Sequence, residues 1–89
     1  LRFPNIFFDD SEKATNFYIA CGLERDTSRG KGSHIVWKDP SGAFSRLITQ
    51  APNSRVWLKK IIADFLTKGF PIERILEALD KLKIKYSML

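Results

Sequence analysis

The segment Asp39-Pro40-Ser41-Gly42 constrains this chain more than any other, because it stands between two runs of strand-forming residues. Proline fixes φ for a turn and glycine admits positive φ, so the chain is expected to reverse there. His34-Ile35-Val36-Trp37-Lys38 is rich in β-branched and aromatic residues and reads as the strand before the turn. Ala43 to Gln50 reads as the strand after it. Leu23 to Ser28 supplies another strand, set apart by the basic and flexible Arg29-Gly30-Lys31-Gly32. Together they predict an antiparallel meander of three strands.

Helical patterns flank that meander. Asp9 can cap a helix while Glu12 reaches back to the cap's N–H. Ala14, Phe17, Tyr18 and Cys21 then fall on one apolar face, and Gly22 stops the run. This predicts a first helix over 10–21. Asn53 or Ser54 can cap a second helix, whose stripe is Leu58, Ile61, Ile62, Phe65 and Leu66 and whose stop is Gly69. Pro71 suits the first turn of a third helix carrying Ile72, Ile75, Leu76, Leu79 and Leu82. Lys81, Lys83 and Lys85 are expected at its C-terminal end, where the helix dipole favours cations. Trp37 and Trp57 are expected in the core, and Cys21 as an inert buried thiol. The order α-β-β-β-α-α is an α+β arrangement with helices on one face of the sheet and the other face open. Leu1 to Phe8, with three phenylalanines, extends this unit as an extra strand, a helix cover or a sticky arm.

Eighty-nine residues suffice for one small domain, expected to span 1–89 with an N-terminal extension at about 1–9. No apolar run approaches the roughly 20 residues of a membrane span. The opening lacks a basic stretch followed by an apolar one, so no secretory signal is expected. Cys21 is the sole cysteine, which excludes an internal disulfide and a cysteine-built zinc site within one chain. A protein of a reducing compartment, the cytoplasm, is expected, with no metal and no cofactor. The net charge of +5 is unevenly spread. Residues 25–60 hold eight bases against two acids, an excess of six, whereas residues 1–24 are net acidic. Such a field attracts phosphate backbones or acidic protein surfaces.

His34, the only histidine, lies inside that basic segment. It is therefore the only side chain whose ordinary pKa lies near neutrality. Strand alternation sets Ile35 and Trp37 on one face and His34, Val36 and Lys38 on the other. Gly30 and Gly32 allow a ligand to approach the backbone. An imidazole among cations, within reach of a phosphodiester, is what proton transfer in RNA cleavage requires. A lone histidine at a strand edge is also often structural, and Gly-Lys-Gly-Ser also serves as a plain hairpin loop.

These elements in this order resemble HicA-type toxins of toxin–antitoxin modules. The likeness rests on Gly22-Leu23, then Lys31-Gly32-Ser33-His34, then Ile35 to Gly42, with Pro52 and Leu58-Lys59-Lys60-Ile61-Ile62 in their places, and covers roughly 11–76. The resemblance implies a dsRBD-like (double-stranded RNA-binding domain) α-β-β-β-α fold, here with an additional C-terminal helix. It implies a ribosome-independent endoribonuclease acting on mRNA and neutralised by a HicB-like antitoxin, with His34 catalytic. The chain departs from the family in a longer connection between Leu23 and Gly32, and in Asn53 where many members carry a second histidine. Lys31, Gly32, Ser33, Lys38, Arg46, Arg55, Lys59 and Lys60 are the candidate RNA contacts. Two alternatives stay open: a non-catalytic double-stranded RNA-binding module, and a protein-interaction domain whose basic face docks an acidic partner.

Overall fold

A computed structural model describes residues 3–7, 14–26, 35–46, 48–50 and 57–88. Its elements in chain order are β1 (Pro4–Ile6), α1 (Ala14–Ala20), β2 (Glu24–Arg25), β3 (Ile35–Lys38), β4 (Ile48–Gln50), α2 (Leu58–Thr67), α3 (Ile72–Lys81) and β5 (Tyr86–Met88). The architecture is α+β, with three helices and two small antiparallel sheets. The expected meander is present as β2-β3-β4, with Trp37 opposite Ile48 and Glu24 opposite Lys38. Asp26 N–H extends the first pairing by donating to Val36 O at 2.8 Å. No helix among the described residues is long and apolar enough to cross a membrane.

Burial follows the alternation. Trp37 and Ile48 are buried as a cross-strand pair, whereas Lys38 and its partner Glu24 are exposed. Aromatic rings carry the sheet into the core. Trp37 lies 5.3 Å from Tyr18 on α1, Tyr18 stacks at 5.7 Å on Phe65 of α2, and Phe65 meets Phe70 at 5.0 Å. Phe44 closes the series edge-on against Phe70 at 5.0 Å. Offset and edge-to-face pairs of this kind add about 0.5–1.5 kcal/mol each beyond simple burial. The α2 stripe is buried as expected at Leu58, Ile61, Ile62 and Phe65. On α3 the buried residues are Ile75, Ala78 and Leu79, with Ile72 and Leu76 half-buried.

Three expectations are corrected. The strand after the turn begins at Ile48 rather than Ala43. Its first residues bend instead, because Phe44 N–H is taken by the Asp39 carboxylate at 3.0 Å and is lost to the ladder. Trp57 is 47% exposed: it occupies the extended N-cap position of α2, one residue before the apolar stripe starts. The third helix ends at Lys81, so Lys83 and Lys85 lie beyond it. The N-terminal extension takes the first of the three forms expected of it, a strand, and pairs with an unanticipated C-terminal one, with Ile6 opposite Tyr86 and Asn5 opposite Ser87. Ile6, 1% exposed, anchors that ribbon in the core. The expected helix start at Asp9-Asp10 and the capping residues Asn53 and Ser54 lie outside the described residues.

All three helices terminate in one device. After α1, Gly22 N–H donates to Ile19 O and Leu23 N–H to Tyr18 O. After α2, Gly69 bonds Leu66 O and Phe70 bonds Phe65 O, and after α3, Lys83 bonds Asp80 O and Ile84 bonds Leu79 O. This is the Schellman pattern, which satisfies terminal carbonyls and turns the next apolar residue back onto the core. Leu23 and Phe70 are accordingly buried, and Ile84 packs partly against the core. The middle position needs a left-handed backbone, with φ of 86° at Gly22, 88° at Gly69 and 57° at Lys83. Lysine therefore occupies the one site where the Cβ is penalised.

Two substitutions test this reading in opposite directions. Lys83→Gly is expected to stabilise the protein by about 1 kcal/mol in urea unfolding, by removing left-handed strain. Gly22→Ala is expected to cost roughly 2 kcal/mol or more, since its φ is 86° and a Cβ there would lie 2.7 Å from Arg74 Nη2.

Candidate nucleic-acid interface

The sheet end that carries Lys38 is built on Asp39. The Asp39 side chain is 0% exposed and accepts five hydrogen bonds: from Ser41 N–H (3.1 Å), Ser41 Oγ (2.8 Å), Phe44 N–H (3.0 Å), Arg74 Nη1 (2.6 Å) and Arg74 Nη2 (3.2 Å). Gly42 N–H completes the turn onto Asp39 O at 3.1 Å. Arg74, reaching over from α3, also donates Nε and Nη2 to Cys21 O at 3.1 and 2.7 Å, and its guanidinium sits 4.8 Å over the Phe70 ring. The Arg74 hydrogen bond, helped by those from Ser41 and Phe44, holds the Asp39 carboxyl well below the usual carboxylate range against the opposing effect of burial. Asp39 in turn raises the Arg74 pKa.

Of the candidate contacts, Lys38, Arg46, Lys59 and Lys60 are described, and all four are exposed. Lys38 ends β3 on the face opposite Trp37. Arg46 was expected on the third strand but lies in the bend before β4. Because Trp37 pairs with Ile48, register counting sets Arg46 at the same end of the sheet as Lys38. Glu24 faces Lys38 across the β2–β3 pair, which the sequence reading did not weigh, and it offsets part of the positive field there. Lys59 and Lys60 open α2, and Lys59 lines a cleft of about 330 Å³ with Phe3, Pro4, Asn5, Ile62 and Leu66. The structure thus places Lys38 and Arg46 toward one end of the sheet, and sets Lys59 against β1. Lys31, Gly32, Ser33, His34 and Arg55 lie outside the described residues, so the proposed catalytic residue has no described geometry.

Arg74 escaped the sequence reading. It stands among the apolar residues of α3 and looks like any solvent-facing base, and its partners are 35 and 53 residues away. Asp39 was legible as a turn former but not as a buried carboxylate. Cys21 is 2% exposed, and burial pushes its thiol up to about 12 despite the opposing Arg74 and Lys81. Burial, with Asp64 and Cys21, likewise pushes Tyr18 up to about 12. Neither group is prepared for chemistry at neutral pH. No family model, curated protein or solved structure matches the chain.

Two measurements follow from these groups. Because the folded pKa of Asp39 is depressed, its stabilisation is complete above the ordinary carboxylate pKa of about 4 and is lost as pH falls below it. Asp39→Asn is therefore expected to lower stability at pH 7 by roughly 3 kcal/mol and to flatten the acid limb of a stability–pH profile. Native Cys21 is expected to resist a thiol-specific disulfide reagent at pH 8 and to react only as fast as the chain unfolds; immediate stoichiometric labelling would contradict its burial.

Proposed function

We propose that this protein is a HicA-like endoribonuclease of a dsRBD-like fold, which cleaves mRNA by metal-independent acid/base chemistry centred on His34. In this reading it works in the cytoplasm and is neutralised by a HicB-like antitoxin that covers the basic face. One observation carries the proposal. Gly32-Ser33-His34 runs directly into β3, the central strand of an antiparallel meander whose one face is packed at Trp37 and whose other face exposes Lys38. The reading requires His34 to share the face of Lys38, with basic residues near enough to stabilise charge on a phosphorane. Lys59 and Lys60, exposed on the first turn of α2, supply phosphate contacts.

The reaction is a transesterification. The 2′-oxygen forms a bond to the adjacent phosphorus and the P–O5′ bond breaks, leaving a 2′,3′-cyclic phosphate and a 5′-hydroxyl. One proton leaves the 2′-OH and one reaches O5′. His34 performs one of these transfers, and a lysine or water performs the other. Removing a general acid or base costs about 10²–10⁴ in rate. His34→Ala is therefore expected to lose at least about a hundredfold in RNA cleavage, and to lose toxicity in cells, while RNA binding and folding persist. Full-rate cleavage by that variant would exclude His34 as the catalytic residue.

The second reading is a non-catalytic double-stranded RNA-binding module, favoured by Lys59 and Lys60 standing exposed on α2. It predicts salt-sensitive binding with no new RNA ends. A gel of RNA incubated with purified protein, with and without EDTA, separates the two.

A further inference from the structure

The β1–β5 ribbon ends in a feature that the ribonuclease reading does not use. Beyond the Ile6–Tyr86 pair, Phe7 N–H donates to Lys85 O at 3.1 Å, which holds the two strands together for one more rung. Ile6 is 1% exposed but Phe7 is 56% exposed, so a largely exposed aromatic residue stands on a hydrogen-bonded backbone. Phe7 lines a shallow depression of about 640 Å³ with Tyr86, Ile84, Lys83, Lys85 and Asp80. A single exposed apolar residue is ordinary on a protein surface. This one shares its depression with two lysines, and neither lysine forms an ion pair among the described residues. Asp80 is the one acid among the described residues that line the depression.

Lys83 adds an independent argument. The same left-handed position is glycine after α1 and α2, and lysine only here, at φ 57°. A side chain kept where its Cβ is penalised points to use of that side chain. Exposed aromatic faces flanked by cations are how proteins hold single-stranded nucleic acid, with bases stacked on rings and phosphates drawn to the lysines.

We propose that the ribbon end is a binding site for single-stranded nucleic acid, in which Phe7 stacks a base and Lys83 and Lys85 take the flanking phosphates. The site belongs to the two-stranded ribbon rather than to the three-stranded sheet, and it stands whether or not the protein cleaves RNA. The test uses the full chain and a fluorescein-labelled 2′-O-methyl oligouridylate of about twelve nucleotides, whose blocked 2′-oxygen prevents cleavage. Binding is read by anisotropy across a salt series. Phe7→Ser is expected to weaken binding about tenfold, and Phe7→Trp to retain it. Lys83→Gly with Lys85→Gln is expected to reduce the slope of log affinity against log salt by about 1.4, two phosphate contacts for a single strand. Lys83→Gly relieves backbone strain and Lys85 is exposed, so a reduced slope in the double variant is not loss of folding. The proposal is overturned if the wild-type protein leaves the oligonucleotide free, or if Phe7→Ser binds as the wild type does. It is equally overturned if a polyglutamate peptide competes as well as unlabelled oligonucleotide, which would make the patch a docking point for acidic proteins. His34→Ala is expected to bind as the wild type does, so a failed ribonuclease assignment leaves this result readable.

Discussion

Arg74 ties together three parts of the chain that share no local sequence. Its guanidinium joins the last carbonyl of the α1 turn, the carboxylate at the end of β3 and the face of Phe70 after α2. A buried charge pair is weak evidence for net stability, because two desolvation penalties oppose the Coulombic attraction. Here every oxygen of Asp39 is engaged, so those penalties are offset and the pair gains geometric value. Asp39 sets the turn, withdraws Phe44 from the ladder, and thereby decides where β4 begins and where Arg46 stands. Gly22 belongs to the same interaction, since its missing Cβ is the space that Arg74 Nη2 occupies.

The helices contribute by how they end as much as by what they bury. Three Schellman motifs return Leu23, Phe70 and Ile84 toward one core, and the aromatic series from Trp37 to Phe44 joins sheet to helices within it. The two glycine stops were readable, since glycine at the end of an apolar periodic run has one common meaning. Lys83 carried no such signal. That substitution hid the end of α3 and made Lys83 and Lys85 look like a cationic helix terminus, when they belong to the approach to β5.

Function in so small a protein depends on which charges share a surface. Eight bases between residues 25 and 60 suggested one field, but the fold separates those among the described residues. Lys38 and Arg46 sit at one end of the three-stranded sheet, with Glu24 opposite Lys38, while Lys59 turns toward β1. The ribbon gathers a further basic and aromatic group from the two ends of the chain.

Local chemistry by itself determined the turn at Asp39-Pro40-Ser41-Gly42, the inward face of β3, the apolar stripe of α2 and the glycine stops. Each of these depends on neighbours within a few residues, through backbone dihedral limits or through periodicity. Only the tertiary structure decided what the turn is for. The partner of Asp39 lies 35 residues away, and β1 meets β5 across the whole chain, so no window of sequence contains either pairing. Trp57 belongs with these: its exposure follows from its place at the N-cap of α2, one residue before the buried stripe, and a residue's type alone does not show that place.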